Sequence, residues 1–141
     1  MNEIVSAALM AWITAQAVKV ACGLFKYGKQ DKSRIVWRII WAGGMPSVHS
    51  AVITSTAVTI LNTAGAGSSI FGLSFVMCLI VIYDRSRMYS IYNTFQKRYP
   101  DFAREIQEDP VLKDLVGHRI PEILTGVLIG AGAGTVMSIL Q

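Results

Sequence analysis

Four long apolar runs decide most of what this chain can fold into. They extend from about Ile4 to Phe25, from about Ser47 to Ala64, from Ser69 to Tyr83 and from about Ile120 to Leu140. A bilayer core of about 30 Å takes roughly 20 helical residues to cross, so the outer runs are long enough and the inner two lie near the short end of the range. Composition agrees: 52% of the residues are hydrophobic, 16% are charged, and the mean hydropathy is +0.46. That profile belongs to an integral membrane protein rather than a soluble domain. The basic residues follow the first apolar run instead of preceding it, so a cleaved signal peptide is rejected. Cys22 and Cys78 both fall in apolar runs and read as reduced, buried small residues, neither a disulfide framework nor a metal site.

Spans joined in series alternate sides, which puts the end of the first, the start of the second, the end of the third and the start of the fourth on one face. All 13 Lys and Arg belong to that face or to the span ends beside it. Lys26, Lys29, Lys32, Arg34 and Arg38 come from the first insert, and Arg85, Arg87, Lys97, Arg98, Arg104 and Lys113 from the second. Lys19 and Arg119 sit just inside spans. The positive-inside rule makes this face cytoplasmic, and the net charge of +4 then records topology rather than nucleic-acid binding. The expectation is an all-α, multi-pass integral membrane protein of a bacterial inner membrane. Residues 1–141 would form one four-helix bundle with inserts at 26–46 and 84–119 and interfacial helices on the cytoplasmic face. The Ile35–Trp41 stretch suits an interfacial segment. Met88, Tyr92, Phe95, Tyr99, Phe102 and Ile106 recur at helical spacing, and Pro100 and Pro110 should break or kink that helix.

The same alternation gathers His49, His118, Asp84, Glu122 and several cations at one depth. Ionisable groups cost several kcal/mol within a bilayer unless paired or hydrated, so their convergence points to function, and their net positive charge to an anion such as phosphate. His49 follows Gly43-Gly44 and Pro46-Ser47. Glycines let a backbone approach an anion, and Ser47 can cap a helix whose free N–H groups favour phosphate. A plain loop with an interfacial histidine explains the same residues. His118 and Glu122 are spaced i, i+4, where the carboxylate can hold one ring nitrogen; an ordinary helix start with Pro121 in its first turn is the competing account. Lys19 can simply snorkel, Asp84, Arg85 and Arg87 can simply anchor a span, and Gly126, Gly130 and Gly134 read as helix packing. Trp12, Trp37 and Trp41 read as packing or interface residues. The glycine faces would also allow a homodimer.

Taken in order, these residues resemble the type-2 phosphatidic acid phosphatase superfamily, which includes the vanadium haloperoxidases. Lys19, followed after six intervening residues by Lys26, is similar to its lysine-led motif; Pro46-Ser47-Val48-His49 is similar to Pro-Ser-Gly-His; Ser86-Arg87 and His118-x-x-x-Glu122 are similar to its Ser-Arg and His-x-x-x-Asp elements. The nearer likeness is to the superfamily's short, divergent membrane branch. It runs from Lys19 through Gly43-Gly44-Met45-Pro46-Ser47 and Tyr83-Asp84 to Gly117-His118 and Glu122. Val48 and Glu122 depart from the superfamily pattern, and the Gly-Val-Arg-Arg run that follows Tyr-Asp in the branch is absent.

The resemblance implies a metal-independent phosphatase, without cofactor, acting on a phosphorylated membrane lipid. His118 would be the nucleophile, Glu122 its orienting partner, and His49 the acid and then the base. Lys19, Lys26, Gly44, Ser47 and Arg85 or Arg87 would hold the phosphoryl group, with Asp84 ordering the arginines. A site on the cytoplasmic face suits phosphatidylglycerol phosphate, phosphatidic acid or a prenyl (di)phosphate. A catalytically silent lipid-binding scaffold that keeps the shape of the site is the alternative from another class.

Overall fold

The computed structural model describes residues 2–27, 44–108 and 116–140, and every regular element among them is a helix. In chain order these are α1 (Glu3–Tyr27), α2 (Val48–Ala64), α3 (Ser69–Arg98), α4 (Pro100–Glu108) and α5 (Ile120–Ile139). Three of them, α1, α3 and α5, are long and apolar enough to cross a membrane. The Ile35–Trp41 stretch, Lys113 and Pro110 lie outside the described residues.

The helix starts follow from local chemistry. Ser47 and Ser68 adopt extended backbone angles, and each side-chain oxygen accepts an N–H three residues on, from Ser50 and Phe71. At the far end of α2 the chain turns through Gly65, whose φ of 80° suits glycine alone.

α2 occupies the middle: it packs against α5, α1 and α3. Its neighbours reach it through small residues. On α1, Ala7, Ala11 and Ala15 recur every four residues and are completely enclosed. On α5, Gly126, Gly130 and Gly134 meet the α2 backbone at Ser47, Ala51 and Ser55, so closely that an added Cβ would collide with those carbonyl oxygens. Lipid tails are as apolar as leucine, so helices associate in a bilayer chiefly through such close backbone contact. The β-branched residues of α2 tolerate the helix because its hydroxyls bond back into it: Thr56 donates to Val52 O at 3.1 Å, Thr59 to Ser55 O at 2.8 Å and Thr63 to Thr59 O at 2.9 Å.

α3 behaves differently. It does not stop with the apolar run at Tyr83 but continues through Asp84 and Arg85 to Arg98, about 45 Å in all. The periodic apolar residues of the second insert are therefore shared between two helices. Pro100 opens α4 after the break at Tyr99, as its missing N–H predicts. The helices fold against each other, with Phe95 near Tyr99 and Phe102 (centroids 5.1 and 5.7 Å) and the Gln107 amide donating to the Tyr92 hydroxyl at 3.1 Å. Between them lies an apolar groove of about 360 Å³, lined by Met88, Ile91, Tyr92, Phe95, Phe102, Ile106 and Val116.

Candidate functional site

The polar residues gather where the start of α5 meets the start of α2 and the middle of α3. Gly117 makes the junction. Its φ is 78°, and a Cβ there would lie 2.6 Å from the Tyr89 backbone N and 2.8 Å from the Arg85 O, so a side chain is excluded both by conformation and by space. This approach lets the His118 N–H donate to the Arg85 carbonyl at 3.2 Å. His118 is thereby buried, 3% exposed, on the inner side of the junction.

Glu122 then does three things. Its Oε2 lies 3.0 Å from His118 Nδ1 and accepts the Arg119 N–H at 3.2 Å, while its backbone carbonyl accepts the Ser47 N–H at 2.9 Å. An ionised carboxylate only accepts, so Nδ1 carries the hydrogen, and in the neutral imidazole the lone pair is then on Nε2. A histidine held in this tautomer offers a nucleophile or a base at Nε2. The Ser47 contact also ties the loop before α2 to the first turn of α5. The Ser47 N–H is thus committed to protein.

The other residues singled out from the sequence fall into place unevenly. Ser47 is completely enclosed. Lys19 continues the α1 stripe one turn beyond Ala15 and is also fully buried; it reads differently here from a lysine snorkelling to the surface. His49 is exposed on the first turn of α2, and both it and Lys19 are engaged by partners of their own. Arg85 is half-buried and reaches His118 through its carbonyl, whereas Asp84 and Arg87 are exposed. Gly44 has φ of 89° with open space around it, so conformation rather than packing calls for glycine. Lys26 lies in the last turns of α1, and its side chain is outside what the structure describes.

Two residues at this junction had been given no chemical part. Arg119 looked like a topological charge, yet its N–H shares the carboxylate oxygen with His118 and its guanidinium lies 5.7 Å from the centre of the Tyr89 ring, within cation–π range. Its position next to His118 was the only signal. Ser50, one turn into α2, is fully buried and donates to Ser47 Oγ at 2.9 Å. The Ser47-x-x-Ser50 spacing, which puts a second hydroxyl over the cap, was the signal there.

The fold and this junction define a helical membrane protein with a buried histidine held by a carboxylate. The family model described as the Divergent PAP2 family matches residues 1–133, and the chain belongs to that family, a divergent branch of the superfamily its motifs resemble. It is 30% identical over 139 residues to the uncharacterized membrane protein YuiD of Bacillus subtilis (strain 168), covering 86% of this chain and 85% of the relative. No solved structure gives a significant match.

Proposed function

We propose that the protein is a lipid phosphate phosphatase of four membrane helices, working at the cytoplasmic leaflet through a phosphohistidine. The observation that carries this reading is the hydrogen bond from His118 Nδ1 to Glu122 Oε2, 3.0 Å long, in a buried junction of helix ends. A buried polar pair costs free energy inside a membrane protein, and helix packing alone gives no reason to retain it. The clustering of basic residues on one face supports a cytoplasmic site and a substrate with an anionic headgroup.

In the first step Nε2 of His118 attacks phosphorus, a P–N bond forms, and the ester P–O bond breaks. His49 gives its proton to the departing alkoxide. The positive charge on the phosphorylated imidazole is balanced by Glu122. In the second step His49 takes a proton from water, the hydroxide attacks phosphorus, and the P–N bond breaks to release inorganic phosphate and free His118. Lys19, Lys26 and an arginine from Arg85, Arg87 or the neighbouring Arg119 would neutralise the phosphoryl oxygens. His49 is exposed on α2, so its part in the reaction requires that it turn toward the bound ester. Phosphatidylglycerol phosphate and phosphatidic acid are the substrates proposed first, and prenyl (di)phosphates second.

The test is phosphate release from each of these lipids by the purified protein in detergent, with His118→Ala and His49→Ala beside wild type. Turnover by wild type and loss of about 10³-fold or more in His118→Ala is expected for a nucleophile. A well-folded wild type that releases phosphate from none of them would instead make the protein a lipid-binding scaffold.

A further inference from the structure

Most hydroxyls of α2 bond back into the helix, and two depart from that pattern: Thr54, which lies 3.8 Å from Cys78 Sγ on α3, and Ser50. Ser55, Thr56, Thr59 and Thr63 each donate to a backbone carbonyl of the preceding turn. Ser50 instead donates to another side chain, Ser47 Oγ, at 2.9 Å. The same oxygen accepts the Ser50 N–H at 3.4 Å. A serine oxygen has two lone pairs and one hydrogen. Both lone pairs of Ser47 are therefore occupied from within its own helix, and among the described residues nothing accepts its hydrogen. Ser47 and Ser50 are both fully buried, so water does not choose the direction of these bonds.

We propose that Ser50 is a positioning residue that makes the Ser47 hydroxyl a committed donor for a phosphoryl oxygen. This deepens the phosphatase reading and rests on it. An isolated serine can donate or accept, and would serve an alcohol, an amide or an anion equally. With both acceptor positions filled, Ser47 can only give its hydrogen, which turns away donors and bonds most strongly to an anionic acceptor such as a phosphate oxygen. A buried hydroxyl hydrogen without an acceptor is costly, and a ligand oxygen removes that cost. α5 holds the pair in place: Gly126 meets the Ser47 carbonyl, and a Cβ there would lie 3.1 Å from Ser50 Cβ. The Glu122 carbonyl one turn earlier accepts the Ser47 N–H at 2.9 Å, so the donor hydroxyl and the His118–Glu122 pair are fixed to one another through backbone.

The experiment compares wild type with Ser47→Ala, Ser50→Ala, Ser50→Thr and the double alanine variant, all as the full chain in detergent. Two quantities are measured: the Kd for inorganic phosphate by calorimetry, and kcat and KM for the best lipid phosphate. Ser50→Ala is expected to weaken phosphate binding about 10-fold and to raise KM alike, with kcat changed less than about 3-fold, while Ser50→Thr stays near wild type. The two alanine effects should not add, because both remove the same donated hydrogen bond. Thermal midpoints identify any variant that fails to fold, and the non-additivity test does not need the threonine variant. Phosphate binding by Ser50→Ala equal to wild type, or additive losses in the double variant, would overturn the proposal. Phosphate binding by wild type without turnover of any lipid removes the phosphatase reading, and the hydroxyl pair is then judged on the Kd series alone. A wild type that neither binds phosphate nor turns over any lipid removes both.

Discussion

α2 and α3 are joined by a turn of only a few residues, yet the membrane protein uses them in opposite ways. α2 buries eight of its 17 residues, half of those hydroxyl-bearing; α3 buries three of its 30 and exposes Leu73, Phe75, Leu79 and Ile80. In water the large apolar side chains on the first half of α3 would be driven inside. In a bilayer the apolar surface is already at home against lipid, and the interior goes to the helix whose neighbours can come closest. The candidate site depends on the enclosed helix for Ser47 and on the outlying one mainly for a carbonyl, that of Arg85.

The sharpest way to break this contrast is to separate the enclosed helices. Gly130→Leu should destabilise by about 3 kcal/mol or more, since overpacking here pushes on the Ala51 backbone rather than on a side chain that can swing away. Gly132→Leu, on the open side of the same helix, should be neutral, and thermal unfolding in detergent measures both. Next in size is Ile60→Ala in α2, where a side chain only 4% exposed is lost; about 2–4 kcal/mol is expected in the same assay. Gly117→Ala should cost about 1–3 kcal/mol and also displace His118, which can be followed as loss of the shielded imidazole signal by NMR. The smallest effect should come from Leu79→Ala on α3, within about 0.5 kcal/mol, because lipid replaces what the side chain touched. A loss at Leu79 as large as that at Ile60 would mean that α3 is covered by protein and that the contrast is wrong.

Much of this could be read from the residues themselves. The apolar runs gave helices, Ser47 gave a cap, Pro100 gave a break, and the i, i+4 spacing of His118 and Glu122 gave their hydrogen bond. Other features were out of reach for physical reasons. The charges at Asp84, Arg85 and Arg87 end an apolar run but not a helix, because helix propensity does not register where lipid gives way to water. The depth of Lys19 depends on α1 meeting α2 along its alanines, a tertiary fact that hydropathy cannot carry. The direction of the Ser50 hydroxyl depends on a choice between two acceptors of similar reach, which spacing alone leaves open.

The seam between α2 and α5 has a thermodynamic side as well. Glycine has no rotamers to freeze, so α5 contributes no side-chain entropy loss where Gly126, Gly130 and Gly134 meet α2. Close contact at those three positions is set against backbone ordering alone, with no α5 side chain there to change rotamer and let the helices drift. The relative placement of Ser47 and Glu122 at the end of that seam is accordingly a property of two backbones, insensitive to the side-chain hopping that blurs sites built from long, flexible residues.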